Sequence, residues 1–246
     1  MMLALLLATQ AAALSSPCLD LVRTDPVAAR TEATRWRGVG GGAAASACAG
    51  LAWAAQENWR AAATAFTEAA HAAETAHDAK AADYWAEAGN AWLAAGEPAS
   101  ARAALGSALA AGTLRGLSLG EAQLDQARAL VADGRLEDAR TSLDLAVTNA
   151  REDPLAWLLS ATLARRMADP RRAATDIAEA LRRAPDDAAV QLEAGNIAAG
   201  AGDAAKAKER WAEAARLQPA GPSGRAAAKA LSQFEPAPAG AGTPHR

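Results

Sequence analysis

The chain has 246 residues and 51% of them are hydrophobic, but 76 are alanine, and Val, Ile, Leu and Phe together number only 37. Alanine is the best helix former and loses no side-chain entropy on burial, so a helical protein is expected, and β-branched and aromatic residues are too scarce for a sandwich or barrel. The net charge of −3 lacks the basic footprint of a nucleic-acid binder, and no apolar run reaches the ~20 residues that would span a bilayer.

At the N-terminus, Met1 to Leu14 are apolar except for Thr9 and Gln10, and the run ends in Ala11-Ala12-Ala13. This resembles the apolar core and small-residue cleavage site of a secretory signal peptide over residues 1–13, with Leu14 as the first mature residue. No Lys or Arg precedes the run, so two readings stand: export to the periplasm, which is the expectation, and a frayed helix in a cytosolic protein. The two cysteines, Cys18 and Cys48, bear on the same question. In an exported protein an even count suggests a disulfide, whereas in the cytosol both would be small buried hydrophobes.

Residues 14–42 are expected to form an N-terminal cap and linker. Asp25-Pro26 opens a helix running to Trp36 or Arg37, with Asp at the capping place and Pro in the first turn. The stretch Gly38-Val39-Gly40-Gly41-Gly42 then stops it and is expected to act as a hinge. It has no GKS or GKT and is no phosphate loop.

From Ala43 onward one spacing recurs. A unit starting at Ala43 has Gly50, Trp53, Ala62, Phe66 and Ala69 at its eighth, eleventh, twentieth, twenty-fourth and twenty-seventh places. A unit from Ala82 has Gly89, Trp92, Ala101, Leu105 and Ala108 there, and one from Gly120 has Ala127, Leu130, Ala139, Leu143 and Ala146. Two units follow without a gap. From Pro154, Ala161, Ala173, Ile177 and Ala180 take the eighth, twentieth, twenty-fourth and twenty-seventh places, and from Ala188, Gly195, Ala207, Trp211 and Ala214 do. Small residues at three of these places let two helices approach, and large ones at the fourth, eleventh and twenty-fourth fill the gaps. Trp53, Trp85, Trp92, Trp157 and Trp211 fall at the large places and are expected in the core rather than in a ligand cage.

This pattern closely resembles the tetratricopeptide repeat, a unit of 34 residues. The resemblance implies an all-α, right-handed superhelical solenoid of about five helix-turn-helix units, near 43–76, 82–115, 120–153, 154–187 and 188–221. A C-terminal cap helix is expected over 222–234 and a disordered tail over 235–246, where Pro, Gly and Ala dominate. Cys48, at the sixth place of the first unit, lies roughly 160° around the helix from Gly50. It should face the N-terminal cap, where a bond to Cys18 would clip cap to array.

Candidate chemistry is sparse. The segment from His71 to Asp78 carries His71, Glu74 and His77, part of a metal set, but lacks the HExxH spacing. The competing reading is a solvated helix end. No GxSxG occurs, and no nucleophile–base pair suggests itself, so neither enzymatic activity nor a cofactor is expected. Three arginine pairs, Arg165-Arg166, Arg171-Arg172 and Arg182-Arg183, sit among offsetting acids and read as a solvated, locally paired surface.

The resemblance also implies a concave groove that holds an extended peptide or a partner helix. It is lined by the second, fifth, ninth, twelfth and thirteenth places of each first helix. Carried over residue by residue, this gives an apolar floor of Leu124, Leu158 and Leu192. Asn90, Arg128, Thr162, Arg165, Arg166 and Asn196 are the polar contacts. The family's carboxylate clamp for chaperone C-termini needs Lys at the fifth place with Asn at the ninth. Asn90 and Asn196 match, but Ala86 and Leu192 do not, which argues against that ligand. The expectation is a non-catalytic scaffold for a protein or peptide ligand in the cell envelope. The alternatives are a cytosolic adaptor and a metal-binding or enzyme-associated module. The leucine floor could equally be covered by the array itself or by self-association.

Overall fold

A computed structural model describes residues 17–234. The signal-peptide segment 1–13 and the tail 235–246 lie outside the described residues. Within them the chain is all-α. The helices are α1 (Pro17–Thr24), α2 (Pro26–Gly38), α3 (Gly42–Ala54), α4 (Trp59–Thr75), α5 (Ala81–Ala94), α6 (Pro98–Ala110), α7 (Gly116–Ala132), α8 (Leu136–Asn149), α9 (Pro154–Arg166), α10 (Pro170–Arg183), α11 (Ala188–Gly200), α12 (Ala204–Leu217) and α13 (Pro222–Phe234). Two compact units are formed, one up to Glu97 and one from Pro98. Inside each, every helix packs chiefly on its neighbours in sequence, which is how an array of helical hairpins buries its apolar faces.

The hairpins close through one contact. At Gly50 a Cβ would stand 2.8 Å from the Phe66 ring, and at Gly195 one would stand 2.4 Å from the Trp211 indole. The eighth place of one helix thus receives the large twenty-fourth residue of the next. Where Ala127 and Ala161 occupy the eighth place, they too are buried. The alanines at the twentieth and twenty-seventh places, from Ala62 and Ala69 through Ala207 and Ala214, are buried throughout.

The turn within each hairpin is also uniform. Glu57, Gly96, Gly134, Ala168 and Gly202, each at the fifteenth place of its unit, all have φ between 57° and 80°. In each case the next residue's N–H reaches back to the helix, as Asp169 N does to Ala164 O at 2.9 Å and Asp203 N to Ala198 O at 3.0 Å. This is the helix-ending geometry that glycine adopts without penalty and other L-residues do not. Side-chain caps then start the following helix: Asn58, Asp169 and Asp203 accept from Ala61, Arg172 and Lys206 N. Of the extra residues between units, 116–119 form the first turn of α7, which is 17 residues long, and 77–80 lie in the turn between α4 and α5.

The N-terminal cap is larger than the sequence suggested. An additional helix, α1, precedes Asp25, with Pro17 in its first turn and Leu21 and Val22 packed inward. Cys18 and Cys48 are joined by a disulfide, with Cα atoms 6.3 Å apart. The bond ties α1 to α3 across a cluster that includes Ala29, Ala33, Ala49 and Ala52. Cys48 therefore faces the cap while Gly50, two residues on, faces Phe66. The glycine stretch is no loose hinge. Gly41 donates to Trp36 O at 2.9 Å, and a Cβ on Gly41 would lie 2.6 Å from the Trp36 ring. That packing fixes a tight turn between α2 and α3.

The tryptophans divide. Trp85 and Trp211 are buried, but Trp53 and Trp157 are only partly so. A guanidinium covers each of the latter two. Arg30 lies 3.9 Å from the Trp53 ring centroid, and Arg183 lies 4.9 Å from that of Trp157.

Two predictions follow from the turns and the helix contacts. Ala168→Gly relieves a left-handed alanine worth ~1–2 kcal/mol, less the greater chain entropy of glycine. It should raise stability by about 0.5–1 kcal/mol in urea unfolding, with Gly134→Ala losing a similar amount. Gly195→Ala should destabilise despite its helix-propensity gain of about 1 kcal/mol, because the buried Trp211 indole, bonded to Asn196, cannot retreat. Gly106→Ala, with nothing within 4 Å of the added Cβ, should instead stabilise by about 0.5–1 kcal/mol. Equal and same-signed effects at Gly195 and Gly106 would refute the close-contact account.

Candidate interaction groove

Three helices of the second unit converge on an apolar pocket of about 170 Å³. Ala127, Arg128 and Val131 come from α7, Leu143 from α8, and Leu159, Thr162, Leu163 and Arg166 from α9. The first helices of two successive hairpins thus form opposite walls, and Leu143 reaches between them. Arg128, Thr162 and Arg166 are groove candidates from the sequence, and the structure brings all three to this pocket. Val131 and Leu159 line it as well. Val131 holds the twelfth place of its unit, one of the places the family resemblance implies, so its signal was present. Leu159, at a sixth place, carried none.

The leucines expected as an apolar floor are placed elsewhere. Leu124 is buried among Leu130, Leu143 and Leu163, and Leu158 among Ile177, Val190 and Ala194. Leu192 is partly buried against the cluster around Trp211 and Ala227. The helices of the array cover all three.

Two of the polar candidates are engaged in holding helices together. Asn196 accepts the Trp211 indole N–H at 3.1 Å and donates to Glu193 at 3.0 Å. Glu193, only 6% exposed, receives Arg165 in a two-pronged pair at 2.7 and 3.2 Å. The chain Arg165–Glu193–Asn196–Trp211 links α9, α11 and α12. Asn90 is exposed on α5 in the first unit.

The charges around the pocket are unequal. Arg128 pairs with Asp125 one turn earlier at 2.7 Å. Thr162 donates its hydroxyl to Leu158 O at 2.9 Å. Arg166 is in the last turn of α9, and its guanidinium makes no hydrogen bond or ion pair within the described residues. Its place suits a cation, since the negative end of the helix dipole lies there.

A second polar network links α8, α9 and α10. Ser160 is buried and donates to Asp176, itself 3% exposed. Arg140 donates to the Ser160 hydroxyl at 2.7 Å and to Asp144 at 3.0 Å. Arg172 bridges Asp144 at 2.5 Å and Asp176 at 3.1 Å. Burial pulls the Arg140 guanidinium below its ordinary pKa, and Arg172 adds to the drop while Asp144 opposes it. Each charge here has a partner of opposite sign, as burial requires. Of the three arginine pairs, Arg182 and Arg183 both meet Glu179.

The histidine segment is likewise structural. Glu74 accepts the Trp85 indole N–H at 2.7 Å and meets His71 Nδ1 at 3.2 Å. The indole bond holds the Glu74 carboxyl below the usual carboxylate range; burial opposes it, and His71 adds to the lowering. The His71 and Trp85 rings meet edge to face at 4.7 Å. His77 lies beyond the end of α4 with φ 53°. Among the described residues, no group of three or more His, Cys, Asp or Glu could hold a metal ion.

No protein-family model matches the chain, and no curated protein sequence does. Solved structures do resemble it. PilW, a type IV pilus biogenesis factor, aligns with a TM-score of 0.70 at 17% identity over 85% of this chain and 93% of its own. PilF of Pseudomonas aeruginosa gives 0.68 at 14% identity over 85% and 91%. YrrB, a TPR protein with an unusual peptide-binding site, gives 0.58 at 20% identity over 77% and 92%. With the fifteenth-place turns and the eighth-to-twenty-fourth contacts, these likenesses establish that the chain has the tetratricopeptide-repeat fold.

Proposed function

We propose that this chain is a non-catalytic scaffold that holds an extended polypeptide segment in the groove between α7 and α9, and that it works in the cell envelope. The observation that carries the reading is the pocket itself. It is concave, walled by Val131, Leu143, Leu159 and Leu163, and rimmed by two arginines. Apolar walls with a few placed polar groups are the usual make-up of a recognition site. The fold offers such a segment a row of parallel first helices, and YrrB is described as having a peptide-binding site. Envelope location is supported by the signal-like run at 1–13 and by the Cys18–Cys48 disulfide, since such bonds persist in oxidising compartments.

Leu158 is a poor site for testing the groove, because a charge there would be buried against Ile177 and Val190 and would unfold the unit. Thr162→Trp fills the pocket from its wall instead. In crosslinking recovery from the native host, this variant should yield at least about tenfold less of the wild-type partners while keeping its helical circular dichroism. Equal recovery of the same partners would end the groove reading. For location, the protein isolated from its host should begin at Leu14 and contain no free thiol. A chain retaining Met1 with both thiols free would place it in the cytosol.

A further inference from the structure

We infer that the segment bound in this groove is acidic: it sets an aliphatic side chain into the pocket and an Asp or Glu carboxylate on Arg166. The inference rests on the groove reading above and adds the chemistry of the ligand.

Charge accounting around the pocket carries it. Three arginines lie on or beside the pocket wall, and two are already matched. Arg128 is offset by Asp125 at 2.7 Å, and Arg165 is held by the buried Glu193. Arg166 is exposed, lines the pocket and has no partner among the described residues. No carboxylate lines the pocket beside it. The rim therefore carries an uncompensated positive charge, although the chain as a whole has a net charge of −3. Such a site attracts acids by local complementarity and not by the overall field.

The geometry narrows the ligand further. A guanidinium presents a planar fork of donors that matches a carboxylate, and a bond between the two is charge-assisted. The Thr162 hydroxyl proton is committed to Leu158 O, so among the described lining residues the side-chain donors left for a ligand are the Arg166 and Arg128 guanidiniums. The remaining lining is Ala127, Val131, Leu143, Leu159 and Leu163, aliphatic throughout. Among the described residues no aromatic ring lines the pocket for a nucleobase to stack on, and the aliphatic walls would leave a bare phosphate unsolvated on one side. An aliphatic residue next to an acidic one satisfies both halves of the site. This differs from the clamp that grips a C-terminal carboxylate, because the cation stands at a thirteenth place and the ninth-place Asn196 is committed to Glu193 and Trp211.

The test uses random peptides displayed on phage, joined through their C-termini so that any acid selected is a side chain. They are panned against the full chain, and one enriched peptide is then synthesised for fluorescence anisotropy. Enriched sequences should carry Asp or Glu close to Leu, Ile, Val or Met. Arg166→Glu should weaken the synthetic peptide by about ten- to a hundredfold, and re-panning on that variant should select Lys or Arg in place of the acid. That reversal is something a merely structural arginine would not produce. Neutral or basic peptides whose binding is lost in Thr162→Trp would overturn the acidic ligand and leave the groove standing. Peptides unaffected by Thr162→Trp, or no enrichment on the wild-type chain, would overturn both.

Discussion

The constraint on which the rest depends is the distance between the two helices of a hairpin. A large residue at the twenty-fourth place must lie against a residue with almost no side chain at the eighth, as Phe66 does on Gly50 and Trp211 on Gly195. With the helices that close, alanines at the twentieth and twenty-seventh places suffice to fill the remaining space. The alanine content is therefore a packing solution and not a dilution of the core. It also explains why the apolar clusters remain small and serial, each spanning one or two hairpins.

A thin core leaves more of the cohesion to polar contacts. In the second unit, successive hairpins are joined by two charged networks, Arg140–Ser160–Asp176–Arg172–Asp144 and Arg165–Glu193–Asn196–Trp211. Buried ionic groups seldom add much net stability, but removing one partner strands the other, so they penalise alternative packings. The same networks decide which side chains are left to meet a ligand. Arg165 and Asn196 are drawn into the array, while Arg166, one residue from Arg165, is not. The recognition surface we propose is what remains after the hairpins have taken what they need.

Much of this was legible in the residues. Small and large residues at a fixed spacing specify helix pairs because only their alternation lets the pairs close. Asp25-Pro26 and the aspartates before α9 to α12 mark helix starts through caps that act within three residues. The opposite faces of Cys48 and Gly50 follow from the turn angle of one helix. Less legible were α1, only eight residues long, and the glycine stretch, whose order comes from Trp36 packing over Gly41.

The sequence alone determined the helical class, the hairpin repeat and the positions where helices touch, because these are set by contacts within or between neighbouring segments at constant spacing. The tertiary structure decided the candidate site. Whether Leu158 is floor or core, whether Asn196 is free to bind, and whether Val131 and Leu159 share a pocket all depend on how one hairpin rotates against the next. That rotation is fixed by side chains from several helices at once, and the spacing within a single repeat does not contain it.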